Sequence, residues 1–132
     1  MTLIIDASIA AKWLFEEDGS AAARALRGTA PMCAPDFLLL EVFHVMWKRV
    51  RRGEMPPEAL QDLPKLLAAA FDLVVPAADL LQDAAGKARQ LAHPVYDCLY
   101  ITLAERDGST LITADEKQFL AARKAAVKVR LL

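Results

Sequence analysis

A chain of 132 residues with 55% hydrophobic and 25% charged residues has the length and composition of one folded domain, not of a disordered or fibrous polymer. A formal net charge of −1 and a sequence pI of about 6.1 leave no global field to attract nucleic acid, so contact with a polyanion must be local. Charge interrupts every apolar stretch before membrane-spanning length, and the N-terminus lacks the basic region of a signal peptide, so a soluble, cytoplasmic protein is expected.

Leu3-Ile4-Ile5 is a short β-branched run that reads as a buried strand ending at Asp6. Ala7 to Phe15 is helical, and Asp18-Gly19-Ser20 breaks it. Ser20 as N-cap would start a second helix to about Leu26, stopped by Gly28. Met32-Cys33-Ala34 is a short strand between prolines. Asp36 to Arg52 is a long helix with a broad apolar face and a basic end. Pro57 suits the first turn of a helix reaching about Phe71, which Pro64 should kink or split.

Leu73-Val74-Val75 is strand-like, Ala77 to Leu91 helical, and His93-Pro94 precedes a helix from Tyr96 to Arg106. Thr110 to Thr113 is a strand, Asp115 to Arg123 a helix, and Val127-Lys128-Val129 a closing strand. Strands alternating with helices predict a parallel sheet covered on both faces. Without repeats, linkers or low-complexity tracts, residues 1–132 read as one α/β domain. Cys33 and Cys98 have no thiol or histidine at ligand spacing, and both suit small buried hydrophobes.

Four acids carry the chemistry. In an open α/β sheet, ligands bind outside the carboxyl ends of the strands, where Asp6 and Asp115 fall. Asp97 opens a helix and Glu41 lies within one. If the four converge, their repulsion calls for a hard cation such as magnesium or manganese. Each also has a plainer reading. Asp6 and Asp115 could cap helices, and Thr113 with Glu116 forms a capping-box pattern. Asp97 could complement a helix dipole, and Glu41 could lie on a solvated stripe with His44 and Lys48. Position alone leaves both readings open.

Local wording separates them. Leu3-Ile4-Ile5-Asp6-Ala7-Ser8, Glu41 in a long apolar helix, Val95-Tyr96-Asp97-Cys98-Leu99-Tyr100, and Thr113-Ala114-Asp115-Glu116-Lys117-Gln118-Phe119 follow in that order. This closely resembles the PIN-domain ribonucleases, in particular the VapC toxins of prokaryotic toxin–antitoxin pairs, from Met1 to about Phe119. The resemblance implies a PIN-like three-layer fold with a central, mostly parallel sheet of four or five strands. It implies that Asp6, Glu41, Asp97 and Asp115 surround magnesium or manganese, with Ser8 and Thr113 supporting them, and that a metal-activated water attacks an RNA phosphodiester. The alternative is a PIN-like fold that only binds RNA or protein. A haloacid dehalogenase-type phosphatase needs a second aspartate where Ser8 stands, and a receiver domain needs paired early acids and a late lysine.

Lys12 and the run Lys48, Arg49, Arg51 and Arg52 are candidate RNA contacts, the run equally a complement to its helix dipole. Tyr96 and Tyr100 read as packing, and His44 and His93 as structural. The resemblance further implies a VapB-type antitoxin, contact with DNA only through it, and no membrane. The helix Phe37 to Val50, apolar nearly all round, needs cover either from its own core or from another chain. A homodimer is expected, the commonest soluble oligomer.

Overall fold

The computed structural model describes residues 1–132. Strand β1 (Leu3–Ile5) leads into helix α1 (Ala7–Leu14), then α2 (Ser20–Ala25), β2 (Met32–Pro35) and the long α3 (Phe37–Arg51). Next come α4 (Ala59–Ala69), β3 (Leu73–Val75) and, after a single 3-10 turn over Ala77–Asp79, α5 (Leu81–Leu91). The chain closes with α6 (Val95–Asp107), β4 (Thr110–Thr113), α7 (Glu116–Lys124) and β5 (Val129–Leu131).

The sheet order is β3-β2-β1-β4-β5, and every neighbouring pair is parallel. Leu3, Ile4 and Ile5 are all buried, although successive side chains point to opposite faces of the sheet, so helices cover both faces at its centre. From β1 the chain first moves outward through β2 and β3, then returns to lay β4 and β5 on the other side. The order of the strands therefore reverses between β1 and β4, and an open sheet leaves a crevice at their carboxyl ends there. Asp6 follows β1 directly, and Asp115 lies two residues past β4.

Several local expectations change. The innermost helix is α6, in which Cys98 through Ala104 are all buried, as a helix packed along β1, β2 and β4 must be. By contrast, α3 buries only Leu38, Val42 and Met46, and leaves Leu40 66% and Trp47 41% exposed. This chain alone does not cover that helix. Pro64 sits inside one uninterrupted α4 rather than between two helices. Its ring lies on the solvent side while Leu63 and Leu67 face inward, so only one backbone hydrogen bond is lost.

Ser20 does not cap α2. Its hydroxyl donates to Phe15 O and accepts from Glu17 N, closing the α1–α2 turn, while Gly19 takes the cap position at φ +86°. The segment expected as one helix from Ala77 breaks at buried Leu80. Both cysteines are buried and unbonded.

The contrast between the two long helices is measurable. Leu103→Ala in α6 should destabilise the protein by about 2–5 kcal/mol in urea unfolding. Leu40→Ala in α3 should change stability by no more than about 0.5 kcal/mol.

Candidate active site

Asp6 ends β1 and caps α1. Its Oδ1 accepts from Ser8 N (3.0 Å) and Ile9 N (3.4 Å), so the capping reading holds. The same carboxylate also receives two side-chain hydroxyls, Ser8 Oγ on Oδ1 and Thr113 Oγ1 on Oδ2. Each hydroxyl in turn accepts a backbone N–H from beyond β4: Ala114 N donates to Ser8 Oγ (2.9 Å), and Asp115 N to Thr113 Oγ1 (3.1 Å). The ends of the two central strands are thus tied through one carboxylate. Thr113, fully buried, does not form the capping box; the cap of α7 is Asp115, whose Oδ1 accepts from Lys117 N (2.8 Å) and Gln118 N (3.4 Å).

A merely capping aspartate would be solvated and easily ionised. Asp6 is only 6% exposed, and burial lifts its pKa to about 6 despite four hydrogen bonds that favour the charged form.

Glu41 lies midway along α3, one turn past Leu38 and facing α6. Tyr100 Oη donates to Glu41 Oε1 at 2.5 Å. Burial, above all, and the charges of Asp97 and Asp6 raise the Glu41 pKa to about 7, with the Tyr100 hydrogen bond acting the other way. The solvated-stripe reading of Glu41 therefore fails: His44 stacks on Trp47 instead, and Lys48 reaches no carboxylate. Desolvation also pushes the buried Tyr100 phenol well above its ordinary range, ahead of the charge of Glu41.

Asp97, in the first turn of α6, is raised by burial and by Asp115, while His93, whose Nε2 lies 3.8 Å from Asp97 Oδ2, lowers it. Repulsion thus links Glu41 to Asp6 and Asp97, and Asp97 to Asp115. No lysine or arginine pairs with any of the four.

No three acidic, histidine or cysteine side chains come close enough together to form a preformed metal cage.

The basic candidates are partly committed elsewhere. Lys12 Nζ donates to Asp18 O and lies 3.4 Å from Glu17 Oε1. Arg49 lies over the Phe15 ring (3.8 Å) and near Glu17 and Glu54, Arg52 pairs with Glu54, and Arg51 covers Trp47. Only Lys48 of the run has no partner in the chain. Three residues at the site received no site role from sequence: Tyr100 was read as packing, His93 as structural, and Gln118 was not singled out. A tyrosine on the buried stripe behind Asp97 was the one available signal, since a buried hydroxyl needs a polar partner.

Comparison with known proteins agrees with this architecture. The PIN domain family matches residues 3–125. The chain belongs to the PIN-domain family. It is 33% identical over 120 residues to ribonuclease VapC3 of Pyrobaculum aerophilum, covering 89% of this chain and 92% of that protein. This places it among the VapC-type members. Two solved structures share the fold at low identity. VapBC2 of Rickettsia felis, solved bound to a promoter DNA fragment, gives a TM-score of 0.69 at 14% identity, covering 100% of this chain and 99% of that one. VapC20 of Mycobacterium tuberculosis, a toxin that cleaves the sarcin–ricin loop, gives 0.65 at 16% identity, covering 90% and 94%.

The raised carboxyl groups make a pH prediction. A carboxyl with a folded pKa above its unfolded value holds its proton more tightly in the native state. Its stabilising contribution is complete at low pH and is lost as pH rises. With Asp6 at about 6 and Glu41 at about 7, stability should drain away between about pH 4 and pH 7. In EDTA, Glu41→Gln should flatten this fall relative to the parent protein. It should raise Tm at about pH 8 by on the order of 5 °C in thermal unfolding.

Proposed function

We propose that this protein is a metal-dependent RNA endonuclease that acts in the cytoplasm as the toxin of a toxin–antitoxin pair, residues 1–132 working as one domain. The observation that carries the reading is a set of four carboxylates, Asp6, Glu41, Asp97 and Asp115, coupled by mutual repulsion and without a lysine or arginine partner, on a PIN fold whose strand order reverses beside Asp6. Buried acids that raise one another's pKa call for positive charge, and oxygen donors favour a hard divalent ion. Magnesium keeps several waters and is commonly held by one or two carboxylates together with a substrate phosphate.

Asp6 and Asp97 would hold the ion most directly, with Glu41 and Asp115 completing its surroundings. A bound ion supplies Lewis acidity toward water and the scissile phosphate, so no serine, histidine or lysine nucleophile is needed. The chain's own contribution is positioning. Ser8 and Thr113 fix both oxygens of Asp6, and Tyr100 fixes Oε1 of Glu41, whose second oxygen has no hydrogen-bond partner in the chain. With Lys12 held by its own turn, RNA contact would fall to Lys48 and those arginines that can leave their intramolecular partners.

The uncovered face of α3 supports a VapB-type antitoxin as its occupant. VapBC2 of Rickettsia felis is bound to a fragment of its promoter DNA, which supports contact with DNA through a toxin–antitoxin complex rather than through this chain alone. No helix is long and apolar enough to cross a membrane.

With purified protein and a broad panel of RNAs, cleavage should require magnesium or manganese and stop in EDTA. Asp6→Asn or Asp97→Asn should lower the rate at least about 100-fold while leaving far-UV circular dichroism unchanged. RNA left intact throughout, with binding retained, would favour a module that only binds. Light scattering at micromolar concentration should give twice the chain mass, and a monomer there would end the homodimer reading.

A further inference from the structure

Gln118 has only 1% of its surface exposed, although it lies one turn from the solvent-facing start of α7. Burying a primary amide is unfavourable unless each of its ends finds a partner. Gln118 Nε2 donates to the backbone oxygen of Asp97 at 2.9 Å, and Gln118 Oε1 lies 2.6 Å from His93 Nε2. These contacts determine each other. A peptide carbonyl only accepts, so the amide nitrogen must face Asp97. The amide oxygen then faces His93, and since that oxygen also only accepts, the ring must carry its hydrogen on Nε2.

The His93 side chain is itself only 10% exposed, and its Nε2 edge is the one that lies 3.8 Å from Asp97 Oδ2. Just before it, Ala92 takes a left-handed conformation (φ 50°), and His93 N donates to Ala88 O, so the backbone holds the ring's base in place. Gln118 N also donates weakly to Asp115 Oδ1 (3.4 Å). One residue therefore touches two of the four acids, the backbone of Asp97 through its side chain and the carboxylate of Asp115 through its backbone N–H. Its bond to Asp97 O is the only hydrogen bond between α6 and α7.

We propose that Gln118 is a positioning residue. By clamping the first turn of α6 and fixing His93 as the Nε2–H tautomer, it sets the direction of the Asp97 carboxylate relative to Asp115, and so the affinity of the site for a divalent ion. This rests on the reading of Asp97 as a metal-holding residue. Gln118 touches neither substrate nor ion. It acts as groups behind metal ligands do elsewhere, where their removal weakens metal binding about 10–100-fold.

The test uses the full chain and manganese alone as probe. In metal-free wild-type protein at neutral to mildly alkaline pH, long-range proton–nitrogen NMR should show His93 with its hydrogen on Nε2. A hydrogen on Nδ1 would overturn the proposal without any mutation. Gln118→Met, close in volume, should lose that tautomer preference. Its manganese Kd by calorimetry should rise about 10–100-fold, with far-UV circular dichroism in EDTA unchanged. Wild-type manganese affinity in Gln118→Met would overturn the proposal and leave the metal reading intact. If Asp97→Asn also failed to weaken manganese binding, the reading of the site itself would fall along with it.

Discussion

A carboxylate with little exposure stands at the end of the central strand, and the geometry of the site depends on how it is held. Asp6 has no cation beside it. What keeps it in place is hydrogen bonding, two backbone donors from α1 and two hydroxyls that are themselves anchored beyond β4. Those bonds favour the charged form, yet burial still wins and the pKa rises to about 6. The same carboxylate ties together the ends of β1 and β4 where the strand order reverses.

The remaining acids are placed by elements that differ in rigidity. Asp97 rides on α6, the most buried helix, and moves only if the core moves. Glu41 rides on α3, which is partly uncovered, and its link to the core is the Tyr100 hydroxyl. Asp115 is exposed and set by capping α7. The site thus grades from rigid to open across the crevice. Under the proposed function, that grading would suit an ion that keeps part of its water and accepts ligands from a substrate.

Much of the fold was legible in the strands. Short apolar runs alternating with helical stretches specify a parallel sheet, and all five strands fall within a residue or two of their predicted places. The misjudged points share a cause. Ser20 and Thr113 look like helix caps in a linear pattern, but the Ser20 hydroxyl closes the turn before it onto Phe15 and Glu17, and the Thr113 hydroxyl reaches Asp6 on another strand. Which of two apolar helices lies innermost was equally hidden, since hydrophobicity specifies that a face must be covered and not by what.

The sequence by itself determined the alternation of strands and helices, the positions of Asp6 and Asp115 after strands, and, through its motifs, the resemblance that joined Glu41 and Asp97 to them. Those are local properties: side-chain periodicity and the order of residues along the chain. Only the tertiary structure decided that Glu41 turns inward to Tyr100, that Lys12 is bound within its own turn, and that Gln118 ties His93 to Asp97. Each of these is a contact that the linear pattern does not show, and the desolvation that packing imposes is what separates Asp6 from a solvated helix cap.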